Sequence, residues 1–359
     1  MYKKICYSRT TLVILILLLG IFFLTQCVSK DRNQAYIVQN PNYSDYAGSV
    51  TCVKCHKSIY DTHIHTAHYL TFQPATEENI LGSFEAGKNS FVFNDHKKVI
   101  AQKRSDGYYQ VEYDSGFRKT AHRFDIVVGS GVKGQTYLYW DSSRLYQLPL
   151  GYFTTAAAWA NSPGYPDRVI FNRVVGSSCL ECHATYAKIH SPPGISPPEY
   201  DPKKMIYGID CEKCHGPAAR HVDFQTRNPK DTRGKFILNP GKLDRLLSLN
   251  LCTLCHGGRF IPTQPSFSFQ AGDTLSNYFS LVTSKKRATS IDVHGNQYGL
   301  LAASKCFRMS QLTCVTCHDV HKNEAGKIAL LSQRCQSCHS AGHEITCMMT
   351  TNLGNSINN

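Results

Sequence analysis

Twelve of the sixteen cysteines stand in six pairs of identical spacing: Cys52/Cys55, Cys179/Cys182, Cys211/Cys214, Cys252/Cys255, Cys314/Cys317 and Cys335/Cys338. A Cys-x-x-Cys pair alone is ambiguous among zinc, redox and iron–sulfur chemistry. Here a histidine follows each pair at once: His56, His183, His215, His256, His318 and His339. Histidine makes up only 16 of 359 residues. Six such coincidences by chance have a probability on the order of 10⁻⁸. Cys-x-x-Cys-His is the attachment motif of c-type haem. The two thiols add across the haem vinyl groups, and the histidine ligates iron from one side. The sequence therefore predicts six covalent haem c groups on these cysteines and histidines.

The far side of each iron decides what a haem does. A second histidine gives a low-potential carrier, and a methionine raises the potential. An empty sixth position makes a substrate-binding centre. Ten histidines lie outside the motifs: His63, His65, His68, His96, His122, His190, His221, His294, His321 and His343. Methionines are few, and mostly bis-histidine ligation is the economical expectation. His68, His221, His321 and His343 lie close to motifs and are candidate axial ligands. His122 and His294 are more distant candidates. His63, His65, His96 and His190 read as solvated or hydrogen-bonded side chains. No residue presents itself as a catalytic group. Among the leftover cysteines, Cys306 and Cys347 flank the last two motifs. A disulfide in an oxidising compartment, a thiolate near haem and two unpaired thiols are the readings open to them.

The elements that must position these residues divide the chain unevenly. One motif precedes residue 57 and five follow residue 178. Between them lie short β-like runs at 90–94, 98–104, 108–113, 118–128, 135–140 and 144–147, and Asp106-Gly107 and Ser115-Gly116 are hairpin signals. This predicts a β-rich insert. Its aromatic run Tyr137-Leu138-Tyr139-Trp140, with Tyr146, Tyr152 and Trp159, reads as core packing, with a haem-shielding surface as the alternative. The five later motifs are too dense for independent domains. They predict an irregular α+β fold: short helices and loops around stacked haems.

At the N-terminus, Lys3, Lys4 and Arg9 precede an apolar run at 11–24, shorter than the ~20 residues that span a bilayer comfortably. Cys27 follows in Leu24-Thr25-Gln26-Cys27. This resembles a bacterial lipoprotein signal with Cys27 as the lipidated residue, although Gln26 departs from the small residue usual there. A plain cleaved signal and an uncleaved anchor are the alternatives. Export fits the haem motifs, because c-type haem is attached after export. The expected divisions are a signal at 1–27, a tether at 28–45, a first haem module at 46–85, the β-rich insert at 86–150, a five-haem domain at 151–345 and a tail at 346–359. The formal charge of +13 invites a nucleic-acid reading. Each ferric haem brings about −1, however, so propionates offset much of the excess. Nucleic acid is not an expected partner.

The segment from Gly48 through Cys52–His56 to Thr66-Ala67-His68 resembles the opening module of the cytochrome c-552/4 domain family. The stretch at 127–166 and the segments CLECHAT (179–185), CEKCHGPAARHV (211–222) and LTCVTCHDVHK (312–322) are also similar to multihaem members of that group. The resemblance covers most of residues 46–345. It implies predominantly bis-histidine haems, an electron-transfer role, and His68, His221 and His321 as axial ligands. Similar proteins often continue past a cysteine like Cys347 into another haem motif, whereas this chain stops in residues 354–359; loss of a seventh motif by truncation is one reading of that difference. The resulting expectation is an exported, membrane-associated electron carrier between a redox donor and an acceptor protein. The rivals are a reductase or oxidase of small nitrogen or sulfur compounds with one open iron, and a haem-bearing subunit of a larger respiratory complex. No Cys-x-x-Cys-Lys motif, the mark of one nitrite-reductase class, is present.

Overall fold

A computed structural model describes residues 38–192, 194–281 and 295–338. The signal region with Cys27, and His294, His339, His343 and Cys347, lie outside the described residues. Among the described residues no helix is long and apolar enough to cross a membrane.

Antiparallel strands dominate the first half, and their turns follow from local sequence. Strands β2 (Ser90–Val92), β3 (Lys97–Arg104), β4 (Gly107–Asp114) and β5 (Phe117–Arg123) form a four-stranded meander. The pairing of Asp114 with Phe117 leaves a two-residue turn. Its Ser115 and Gly116 have φ of 52° and 84°. Positive φ at both positions is what a type I′ turn requires, and its twist matches the strands it joins.

A second sheet orders β1 (Phe72–Pro74), β6 (Ile126–Val128), β7 (Gly134–Asp141), β8 (Arg144–Gln147) and β11 (Arg173–Val174). Strand β9 (Leu150–Phe153) pairs with β7, and β10 (Ala158–Asn161) pairs with β9, making seven strands. The single strand expected over 118–128 is two. Phe124 N–H donates to Tyr108 O in the meander, whereas the next amide, Asp125 N–H, donates to Leu138 O in the larger sheet. The chain changes sheets there, and Asp125 also accepts from Trp140 N–H at 2.8 Å. The strands reach from 72 to 174, outside the 86–150 divisions on both sides.

Two apolar clusters hold this region. One gathers Phe72, Ile126, Leu145, Leu180 and Tyr200. The other gathers Val99, Phe124, Tyr137, Leu148, Leu150 and Trp159. Tyr137 and Trp159 are thus core residues of the sheets. Burial of such side chains contributes about 1.5–3 kcal/mol each. Residues 43–46, at the boundary between the expected tether and the first haem module, are anchored too. Tyr43 and Tyr46 set their rings 6.3 and 5.0 Å from Tyr186.

The helices are short: α1 (Ser49–His63), α2 (Ser177–His183), α3 (Cys211–His215), α4 (Ala219–Arg227), α5 (Arg245–His256), α6 (Gln297–Ala303), α7 (Lys305–Arg308) and α8 (Ile328–Gln336). Two small hairpins, β12 (Tyr186–Ile189) with β13 (Tyr200–Ile206) and β14 (Phe260–Pro262) with β15 (Phe279–Leu281), lie between them. The architecture is mixed α and β, with irregular connections.

Candidate haem sites

The first four motifs share one local design. In α1 the helix kinks at His56, which has φ −115° and ψ 38°. Helices α2, α3 and α5 end at His183, His215 and His256. A turn of helix carries the two cysteines, and the regular backbone breaks at the histidine. Asp210 caps α3 by accepting from Cys211 N–H, and Asp244 caps α5 by accepting from Leu247 N–H. Such a cap satisfies an otherwise orphaned first-turn amide. The last two motifs differ. Cys314 opens a 3-10 turn, Cys314–Thr316, and Cys335 lies at the end of α8.

All twelve motif cysteines are free of disulfides, as thioether attachment requires. Their neighbours show how the motifs sit. Cys52 sits beside Cys211, Cys182 beside Cys255, and Cys252 beside Cys314. Cys214 lies close enough to Cys252 and Cys255 to influence both thiols, and Cys335 and Cys338 do the same to Cys317. The fourth motif therefore neighbours the second, third and fifth.

Cys55 and Cys179 stand outside these contacts between motifs. Cys52 is half-buried against Cys211, whereas Cys55 is exposed on α1 and meets no thiol of another motif among the described residues. The physical reason is local. Cys55 immediately precedes the kink at His56, where the regular helix breaks. Its role as an attachment residue therefore rests on motif spacing, without support from packing. Cys179, Cys335 and Cys338 are also exposed.

Carboxylates inside two motifs strengthen this assembly. Glu212, 2% exposed, accepts from Ala47 N–H at 2.8 Å, Gly48 N–H at 2.8 Å and Ala218 N–H at 2.7 Å. It ties the entrance of α1 to α3. Glu181 accepts from Phe267 N–H, and Lys213 stands 5.2 Å from the Phe267 ring. Burial pushes both carboxyls above the usual carboxylate range; Lys213 opposes this at Glu181, and the three amides oppose it at Glu212.

The histidines give the most direct test of whether haem fits. Two imidazoles on opposite faces of one iron, each with an iron–nitrogen bond of about 2 Å, have ring centres about 6 Å apart. His68 and His256 are 6.0 Å apart, and His215 and His321 are 6.2 Å apart. Each pair joins a motif histidine to one from a remote segment. The ring nitrogens are sorted as well. His215 Nδ1 bonds Leu238 O at 2.9 Å, His183 Nδ1 bonds Thr71 Oγ1 at 2.8 Å, and His221 Nδ1 bonds Lys235 O at 2.8 Å. His256 Nδ1 lies 3.4 Å from Gln297 Oε1. Anchoring Nδ1 orients the ring and leaves Nε2 for a metal. Burial, first among the causes, pushes His68 down to about 4 and also lowers His183, His215 and His321. Their neutral, ligating form is thereby favoured. Among the described residues, no group of three or more His, Cys, Asp or Glu is arranged to hold a bare metal ion.

The structure does not gather every candidate. His122 lies in β5, with its ring 4.5 Å from Phe171 and 4.3 Å from Tyr139 and its Nε2 bonded to Thr120 Oγ1. It has no ring contact with a motif histidine among the described residues. His65, His96 and His190 are exposed, and His190 faces Asp201 at 3.6 Å. The helix ends at His63, so His65 and His68 do not share a helical face. His63, read from sequence as solvated or hydrogen-bonded, is 7% exposed and stands 6.1 Å from His321. Cys306 is exposed.

No protein-family model matches this sequence, and no curated protein matches it significantly. Among solved structures the chain is similar to an outer cell wall cytochrome, OcwA, at 16% identity and a TM-score of 0.47, over 78% of this chain and 57% of that one. The chain thus spans a little over half of that protein's length.

Proposed function

We propose that the chain is a multihaem c-type cytochrome that passes electrons between protein partners. The observation that carries this reading is the pair of opposed imidazole contacts, His68 with His256 and His215 with His321, at 6.0 and 6.2 Å. Both match the span of an iron with a histidine on each face. Haem, when bound, supplies a one-electron ferric/ferrous couple. The chain's residues do the rest: the cysteines fix the macrocycles, Nδ1 anchors orient the rings, and the neighbouring motifs keep the sites close together. The finer proposal is six haems, kinship with the cytochrome c-552/4 domain family, and export with lipid attachment at Cys27 on the periplasmic side.

The test is a pyridine haemochrome assay with intact mass on protein matured in a host that attaches haem c. Six covalent haems with low-spin ferric EPR signals are expected. Two or fewer haems would overturn the reading. A dominant high-spin signal in intact protein would favour a reductase or oxidase with an open iron. Stable co-purification with an integral membrane complex would favour a respiratory subunit.

A further inference from the structure

His63 ends α1 and is 7% exposed. Its Nε2 lies 3.1 Å from Ile209 O. A carbonyl oxygen can only accept, so the ring proton sits on Nε2. Nδ1 therefore carries a lone pair. That atom is buried and has no hydrogen-bond partner. A buried acceptor without a donor is costly, and most such atoms in folded proteins have an explanation, an absent ion among them. The arrangement reverses that of His183, His215 and His221, whose Nδ1 is anchored and whose Nε2 is left over. In both arrangements one nitrogen holds the ring and the other is spare, which is the requirement for a ligand.

The surroundings are those of a haem cluster. The His63 ring is 6.1 Å from His321 and 5.9 Å from Tyr69. The contact with His321 is not itself a ligand pair. Each haem here draws one ligand from its own motif, and neither His63 nor His321 belongs to one. His321 and His68 already oppose His215 and His256.

We propose that His63 is an axial iron ligand through Nδ1, closing a haem other than those of His215 and His256. The assignment rests on the reading as a multihaem cytochrome. Gln in place of His63 can still donate to Ile209 O, so His63→Gln removes the iron nitrogen while keeping the anchor. The measurement is EPR of the ferric holoprotein together with carbon monoxide titration of the ferrous form, with covalent haem counted by intact mass. His63→Gln is expected to convert one haem from low to high spin and to gain one equivalent of carbon monoxide binding. The exposed neighbour variant His65→Gln is expected to change neither. If His63→Gln does not mature, His63→Met serves instead, with one haem potential expected to rise. A matured His63→Gln protein with unchanged spin state and gas binding, or a His63→Met protein with unchanged potentials, overturns the assignment alone. Wild-type protein without covalent haem overturns the functional reading beneath it.

Discussion

An imidazole becomes a useful ligand only when one nitrogen is fixed and the other is left with its lone pair. Burial and a carbonyl or hydroxyl partner achieve this at His183, His215 and His221. The motif histidines stand out as candidates because the attachment motif is written into five consecutive residues. Which ring each would face does not, because the facing rings, such as His68 and His256, come from segments far apart in sequence. Resemblance pointed to His68, His221 and His321, but could not say which iron each would serve. Spacing also could not tell that Cys52 would meet another motif while Cys55 stays exposed. His63 left no signal in sequence, since its evidence is a buried atom without a donor. The His215–His321 contact supports a specific expectation. Replacing one histidine of a bis-histidine iron with methionine raises the reduction potential. In His321→Met, one of the haem midpoints should rise by on the order of 0.1 V in a spectroelectrochemical titration, with the others nearly fixed. An unchanged set of midpoints would remove His321 from the iron.

At the scale of elements, the recurring feature is a helix that stops at its motif histidine, as α2, α3 and α5 do. Local chemistry writes much of this: Asp210 and Asp244 are good caps, and Ser115-Gly116 is a good hairpin turn. The sheet change between Phe124 and Asp125 was hidden, because residues 118–128 read as one uninterrupted β-like run while the hydrogen bonds switch partners. The link between α1 and α3 was equally hidden, since it depends on the Glu212 side chain reaching backbone amides of Ala47 and Gly48. Glu212→Ala would leave three amides without their acceptor. A loss of about 3 kcal/mol is expected from equilibrium denaturation of the holoprotein. The pH dependence adds a second mark. Burial, the largest cause, raises the Glu212 carboxyl from 4.5. The folded protein then keeps a proton that the unfolded chain has released, so this group makes stability fall as pH rises from 4.5 to the folded value. Glu212→Ala should erase that fall. A variant as stable as wild type, with the same pH slope, would show that the clasp holds nothing.

Across the whole molecule, apolar burial is distributed as unevenly as the motifs. The two sheet-centred clusters contain most of the large buried side chains. In residues 295–338, by contrast, Phe307 is the one buried hydrophobic side chain among the described residues. That segment carries the fifth motif and most of the sixth. Backbone ordering costs about 1–2 kcal/mol per residue, and one buried phenylalanine offsets only about 3 kcal/mol. Ion pairs such as Arg334 with Glu324 add little to that sum. The missing apolar surface is what covalently attached macrocycles would provide, so this part of the fold should depend on haem more than the sheets do. Protein made without haem attachment, with its cysteines kept reduced, should divide accordingly under limited proteolysis. Residues 72–174 are expected to resist cleavage as a fragment, while 295–338 is cut early. Haem attachment should then protect both regions. Equal protection of 295–338 in the haem-free protein would mean that the segment folds on its own contacts, and that haem occupies a framework it does not create.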